Sequence, residues 1–424
     1  MDAAMLTPGN SSRREAYLIM LKSIMEHNLH IKKHSLFSSL LYSDDKLKEV
    51  REAIISHRKK PLEGLLAVAG VTINGNQPWD IRVRDERLYM RVLHERNLCL
   101  GQAFMDGWWD CPRLDEFFAR LLKSGLEERI RGAWRHWMRH LPGILFNLQS
   151  RSRSRMIAER HYDLDNDLFL SFLDPYNQYS CAYFQKTDDL AEAQQKKLEL
   201  ICRKIDLQPW DHVLDIGCGW GGFARYAAEH YGCKVTAVNV SQEQLRYALD
   251  FCKELPVTFL DCDYRDIRGT FNKIVSVGMF EHVGAKNYRT FMQVVHDALT
   301  RDGIFLLHTI GGNESRKSCD PWINKYIFPN GMLPSIDQIS RSVEGLFVIE
   351  DIHNLGPHYD KTLMAWHQRF QNAWPELKKK FDERFKRMWE YYLLSCAGAF
   401  RARHIQLWQI VMTKTGTVQP DRRL

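Results

Sequence analysis

Asp215, Gly217 and Gly219 lie in the segment Val213-Leu-Asp-Ile-Gly-Cys-Gly-Trp-Gly-Gly-Phe223, a D-x-G-x-G pattern. A short apolar run ends in closely spaced glycines, and Phe223-Ala-Arg-Tyr-Ala-Ala-Glu-His230 then reads as a helix. A strand, a tight turn and a helix start form the unit that holds a nucleotide-like cofactor. The glycines let backbone N–H groups approach a ligand, because no Cβ stands in the way. The third glycine of a hydride-transfer G-x-G-x-x-G would be Gly222, but Trp220 and Gly221 crowd that run. No Gly-Lys-Ser or Gly-Lys-Thr follows, as a phosphate loop requires. S-adenosylmethionine (SAM) carries no phosphate, so a glycine turn without lysine suits it. The candidate cofactor residues on this turn are Asp215, Gly217, Cys218, Gly219 and Gly221.

Downstream residues extend the same reading. Lys234-Val-Thr-Ala-Val-Asn-Val240 lies where a βαβ unit places its next strand. Its end should offer a polar group to the ribose hydroxyls, here the carboxamide of Asn239. Ser241-Gln-Glu-Gln244 has the form of a capping box, so a helix starts there. Val257–Leu260 leads into Asp261-Cys-Asp-Tyr-Arg-Asp266, where Tyr264 or Arg265 could stack on or border an adenine. Upstream, Tyr179-Ser-Cys-Ala-Tyr-Phe184 precedes the first strand and could fold over the cofactor, with Tyr179 and Ser180 foremost.

Ligands in such sheets bind outside the carboxyl ends of the strands, so polar residues just past strand ends matter most. Glu281 and His282 follow the strand candidate Lys273–Met279. His308 lies near the end of Gly303–Ile310, and His353 and Tyr359 follow Phe347–Asp351. Glu281, His308 and Tyr359 are expected to converge on one rim. With a further strand at Ile405–Met412 and helices at Leu363–Ala373 and about Pro375–Ala397, the alternation predicts an α/β, doubly wound sheet. The family resemblance set out below implies a Rossmann-like class I SAM methyltransferase sheet, preceded by a small, mainly helical N-terminal domain. The expected divisions are a helical extension at 1–60, a small domain at 61–150 and the SAM domain at 151–424.

The rest of the chain bounds the function. Its 424 residues, 45% of them hydrophobic, suffice for two domains with a substantial core. No run of eighteen apolar residues predicts a membrane-spanning helix, and the first residues lack a secretion signal. Ten scattered cysteines without C-x-x-C spacing point to reduced thiols and no structural zinc, hence a cytoplasmic enzyme. The net charge of +7 is uneven: Arg120 to Arg160 holds ten Lys and Arg against three Glu. Arg131, Arg135 and Arg139 share one helical face; Trp134, Met138 and Leu141 lie on a different face, with Trp137 nearby. Such a face suggests an anionic surface, or else an ordinary solvated helix face. No nucleic-acid motif is visible.

Longer motifs carry a family resemblance. They are Tyr179-Ser-Cys-Ala-Tyr183, Val213 to Gly222, Val277-Gly-Met-Phe-Glu-His-Val-Gly284, His308-Thr-Ile-Gly311, Asp320-Pro-Trp-Ile-Asn-Lys-Tyr-Ile-Phe-Pro-Asn-Gly331, Cys396-Ala-Gly-Ala-Phe-Arg-Ala-Arg403 and Gln406-Leu-Trp-Gln409. From about Gly70 onward the chain resembles the cyclopropane-fatty-acyl-phospholipid synthases, which include the mycolic acid cyclopropane synthases. The resemblance implies that a cis double bond of a phospholipid acyl chain attacks the SAM methyl. A carbocation forms, and a bound bicarbonate removes a proton as the ring closes. A branched or methylene product from the same cation is the alternative. Carried over, the bicarbonate cradle is Cys181, Glu281, His308, Ile310 and Tyr359, with Cys181 and Ile310 serving through backbone N–H groups. Tyr183, Phe280, Trp322 and Tyr326 could offer π-faces to the cation. Cys396 matches the cysteine assigned to the family's active site, although this chemistry needs no covalent intermediate and a pocket-lining role fits equally. The resemblance also implies work at a phospholipid membrane surface, peripherally on its inner face, and a possible homodimer. Asn239 departs from the family's more usual Thr, and residues 1–60 are longer than usual.

Overall fold

The structure is a computed structural model and describes residues 57, 59–126, 166–316 and 318–420. Contacts divide the chain into Met1–Lys59 and Lys60–Leu424, and the description concerns the second unit. The Arg131, Arg135 and Arg139 face and almost all of the expected extension lie outside the described residues.

Residues 60–126 begin with a helical segment, followed by a ribbon of β1 (Arg82–Val83) and β2 (Trp109–Asp110) around α1 (Arg87–Met105), and then α2 (Leu114–Lys123). The buried aromatics Phe104, Trp109, Phe117 and Phe118 hold this segment together. It belongs to the same compact unit as the sheet. Next come α3 (Asn166–Phe172), α4 (Leu190–Lys204), β3 (His212–Ile216), α5 (Gly222–Tyr231), β4 (Lys234–Asn239), α6 (Gln242–Phe251), β5 (Val257–Asp261) and β6 (Phe271–Val277). They are followed by α7 (Tyr288–Ala298), β7 (Leu299–Gly312), α8 (Pro321–Tyr326), α9 (Ile336–Val343), β8 (Val348–Asn354), α10 (Gly356–Leu377), α11 (Glu383–Arg401) and β9 (Ile405–Thr413).

The seven larger strands form one sheet in the order β5-β4-β3-β6-β7-β9-β8. β5 to β7 are parallel, and β9 runs antiparallel between β7 and β8. The chain leaves β3 toward one edge and returns to β6 on the other side. That reversal opens a crevice at the carboxyl ends of β3 and β6, where such sheets bind ligands. Alternation along the strands sends side chains to two cores. Leu214, Ile216, Ile274, Phe305 and Leu307 meet Phe291 and Val295 of α7 and Ile339 of α9. Val213, Val235, Val275, Leu306 and Val411 meet Leu198 and Ile201 of α4 and Phe223 and Ala227 of α5. Asp215 and His308, two residues beyond Val213 and Leu306, therefore fall on the α4 side.

Two expectations need correction. Pro375 lies in the last turn of α10 rather than starting a helix. The next helix begins at Glu383, where the Asp382 carboxylate accepts from Phe385 N–H at 2.7 Å, an N-cap that sets the break. His308 lies inside a longer strand than expected, four residues short of its end, and is fully buried. No helix among the described residues is long and apolar enough to cross a membrane.

Candidate active site

The crevice is lined by nine of the sequence-predicted cofactor residues: Tyr179, Ser180, Asp215, Gly217, Cys218, Gly219, Asn239, Gln244 and Tyr264. Gly217 and Gly219 have φ of +85° and +55°, which an L side chain rarely adopts. A Cβ on Gly219 would meet nothing within 4 Å. That space opens into the crevice, so the turn is shaped to admit a ligand against its backbone. Three predicted residues do other work. Gly221 is the N-cap of α5, and a Cβ there would crowd Ala248, Phe259 and Cys252. Ser241 caps α6, accepting from Gln244 N–H at 3.3 Å. Arg265 is held by both Asp263 oxygens, at 2.6 and 2.8 Å, and lies over the Tyr264 ring. Of the two adenine candidates, the crevice takes Tyr264.

Asn239 stands at the end of β4 as expected, but its carboxamide holds the turn. Oδ1 accepts from Val240 N–H at 2.8 Å, and Nδ2 donates to Gln244 Oε1 at 2.9 Å and Gly219 O at 3.3 Å. The capping box is therefore half-formed, because the Gln244 side chain turns to Asn239. Asn239→Ala is expected to weaken SAM binding by about 1–2 kcal/mol, the scale of one or two lost hydrogen bonds. Titration calorimetry checks this; unchanged affinity would separate the turn's shape from cofactor binding.

The upstream wall of the crevice, residues 177–180, is clamped from α4. Gln194 and Lys197 are fully buried. Gln194 Nε2 donates to Ser180 O at 2.9 Å, and Lys197 Nζ donates to Ser180 Oγ at 2.9 Å and to Gln178 Oε1. The Asp174 carboxylate accepts from the Tyr176 and Gln178 N–H groups. A Cβ on Gly222 would fall 1.8 Å from Tyr176 O, so the glycine turn and this wall interlock through bare backbone. Burial pushes the Asp215 carboxyl up to about 7, with Lys197 pulling the other way. Burial lowers Lys197 to about 8, opposed by Asp174, Cys181 and Asp215. The sequence reading missed Gln194 and Lys197. Their three-residue spacing, in step with Ile201, marks the inner face of α4, but polar side chains disguised it as a solvated stripe.

A second group adjoins the crevice. Glu281 is buried in the turn after β6, and its Oε1 accepts from Ile310 N–H of β7 at 2.6 Å. Burial pushes it up to about 7, against that bond. Tyr359, in the first turn of α10, is raised well above the usual phenol range by burial, then by Cys181, Tyr179, Glu281 and Cys396. Its ring packs against Trp366 and Phe400. Burial lowers His308 well below the usual imidazole range, with Lys197 and Lys204 adding to the effect. Cys396 on α11 is held up at about 12 by burial, so it is a thiol rather than a thiolate nucleophile.

The chemistry of the donors fits a small oxyacid anion such as bicarbonate. Glu281 Oε2 and His308 Nε2 are buried and make no hydrogen bond, while the Thr309 hydroxyl acts on the Glu281 carboxylate against burial; the carboxylate can accept from a hydroxyl, and an imidazole N–H can donate to an oxygen. One expected cradle feature differs: the Ile310 N–H already serves Glu281. Of the predicted π-faces, Phe280 stacks on Tyr288 in the core, and Trp322 is buried against Tyr326 and Tyr391. Tyr183 packs on His353 and His358.

The family model for mycolic acid cyclopropane synthetase matches residues 149–410. The chain belongs to this family. It is 54% identical over 350 residues to the cyclopropane-fatty-acyl-phospholipid synthase of Escherichia coli strain K12, covering 82% of this chain and 92% of that protein. It is 32% identical to the tuberculostearic acid methyltransferase UfaA1 of Mycobacterium tuberculosis, covering 78% and 82%. The mycolic acid cyclopropane synthase CmaA1, solved in complex with SAH and CTAB, is 34% identical with a TM-score of 0.57, covering 61% of this chain and 98% of CmaA1. The family sheet is thus the class I SAM methyltransferase sheet seen here, with the cofactor crevice at the strand reversal.

Proposed function

We propose that this enzyme transfers a methylene carbon from SAM to a cis double bond in an unsaturated phospholipid acyl chain, giving a cyclopropane fatty acid. The observation that carries this reading is that Glu281 Oε2 and His308 Nε2 are buried without a partner on residues next to Met279, His282 and Val277 of the crevice wall. The E. coli and CmaA1 relatives support it. When bound, SAM supplies an electrophilic methyl, and a bicarbonate in the cradle supplies the base for the proton lost on ring closure.

The protein's own part is alignment and protection. The wall at 177–180, clamped by Gln194 and Lys197, positions one side of the cofactor beside Cys181. Glu281 would accept a hydrogen bond from the hydroxyl of a bound bicarbonate, and His308 would donate one to its oxygen. Tyr359 stays a neutral phenol. An alkene is a weak nucleophile, so holding it in line with the methyl supplies much of the rate. The buried, aromatic surroundings of Tyr179, Trp366 and Tyr359 exclude water, which an electron-poor intermediate requires. Incubation with SAM and unsaturated phospholipid vesicles tests the reading. The expected product is a fatty acid heavier by one CH₂ whose double bond has become a ring. A second reading is a branched or methylene product, in keeping with a relative, UfaA1, that is named a methyltransferase. Proton spectra of the product separate the two.

The substrate alkene lies inside a bilayer, so the enzyme docks peripherally at the membrane's inner face and draws an acyl chain out. The face of Arg131, Arg135 and Arg139, with Trp134 and Trp137 at headgroup level, is the proposed contact. Each arginine contributes about 1 kcal/mol near an anionic surface, and salt screens it. Changing all three to Ser is expected to weaken co-sedimentation with anionic vesicles at low salt while SAM affinity holds. Wild-type binding by the triple variant would move the docking site elsewhere.

A further inference from the structure

The antiparallel register places Gln409 of β9 directly opposite His308 of β7 on one side and His353 of β8 on the other. Their side chains share the α4 face of the sheet. Gln409 and His308 are both fully buried, and Gln409 Nε2 lies 3.3 Å from His308 Nδ1. Three polar atoms of this row have no protein partner: His308 Nε2, Gln409 Oε1 and His353 Nδ1. Lys197 and Lys204 both act on His308, and Lys204 also acts on His353. Burial keeps the His308 imidazole neutral, and the cations on that side add to the effect.

A neutral imidazole carries one N–H and one lone pair, so which nitrogen holds the hydrogen decides what it can do. The carboxamide nitrogen of Gln409 is a donor only. Facing Nδ1, it makes Nδ1 the acceptor and leaves the hydrogen on Nε2. We propose that Gln409 is the positioning residue that fixes the tautomer of His308, so that Nε2–H points at the anionic oxygen of the base. The inference deepens the bicarbonate reading and rests on it for the identity of that base. An imidazole in the other tautomer would set a lone pair against an anionic oxygen. Glutamate at 409 has the same shape but only acceptor atoms when ionised, and it would draw the hydrogen to Nδ1.

The test uses the full chain labelled with ¹⁵N in its histidines. The His308 signals are assigned by their loss in His308→Gln, and spectra are taken without bicarbonate. The wild type is expected to show Nε2 protonated and Nδ1 as a hydrogen-bonded acceptor. Gln409→Glu is expected to move the hydrogen to Nδ1. It should also raise the bicarbonate concentration for half-maximal turnover about tenfold or more, with the SAM dissociation constant unchanged within about twofold. The tenfold change corresponds to the loss of one charge-assisted hydrogen bond, of about 1.4 kcal/mol. If Gln409→Glu does not fold, Gln409→Met serves. There the Nδ1 shift should move to that of an acceptor without a partner. A wild-type hydrogen on Nδ1, or a His308 signal that neither variant changes, overturns the assignment. A switched tautomer with unaltered bicarbonate dependence overturns the role of His308 as donor. Turnover indifferent to bicarbonate in the wild type overturns the base reading itself, while the tautomer measurement stands apart from it.

Discussion

Glu281→Gln is expected to lower turnover by about 10²–10⁴-fold with little change in SAM affinity. Losing the group that holds the proton-accepting base in place costs about that much. The carboxylate stands where Oε1 is bound to Ile310 N–H and Oε2 is left open. Gln keeps the shape but turns one oxygen into a donor. Single-turnover kinetics with calorimetry for SAM decide the matter, and a variant with near wild-type turnover would remove Glu281 from the chemistry. The pH dependence has a definite sign. Burial raises Glu281 from 4.5 to about 7 in the folded protein. Between those values the folded state binds more protons than the unfolded state. This group's contribution to stability is therefore present below about 4.5 and lost as pH rises through about 7. Gln removes it, so the stability of the variant should depend less on pH across that window. Turnover at fixed bicarbonate should fall in the wild type as the carboxylate is protonated below about 7.

Gly219→Val should abolish SAM binding. Gly219 sits at φ +55° with open space where a Cβ would project. A branched side chain there is strained in its backbone and fills the cofactor's place. Calorimetry should show no binding, while circular dichroism shows the sheet intact. Gly217→Val should also lose binding, but by a different route. Its Cβ would lie 2.7 Å from Met279, so the turn after β6 must shift. Unchanged affinity in Gly219→Val would place the cofactor elsewhere.

The chain's sheet was legible because period-two apolar runs and glycine turns are local signals. Val213–Ile216, Lys234–Val240 and Ile405–Met412 all became strands within a residue or two. The cofactor turn was legible for the same reason. Arg265 could not be placed, because its partner Asp263 competes for it at a distance of two residues, and nothing in the sequence ranks that ion pair against a ligand. Gly221 reads as part of the ligand turn, yet what it serves is the packing of α5 on α6 and β5, a contact over thirty residues. Lys197 was hidden for a related reason. A lysine on an amphipathic helix reads as solvated until the fold buries it beside Asp215. The division of roles between Ile310 and Glu281 is likewise a matter of side-chain direction, which the motif Val277 to Gly284 does not carry.

The place of β9 bears on how the molecule comes into being. It is the last strand in sequence but an inner strand of the sheet, seated between β7 and β8. A nascent chain that has released β8 but not residues 405–413 exposes two unpaired strand edges, which are prone to pairing with other chains. It also lacks Gln409 beside His308. The glycine turn and β3 to β6 can form earlier, since their strand pairing does not involve β9. Cofactor affinity should therefore appear on the ribosome before proton chemistry does, and ligand bound to the first half would favour the open intermediate over aggregation until the final strand inserts.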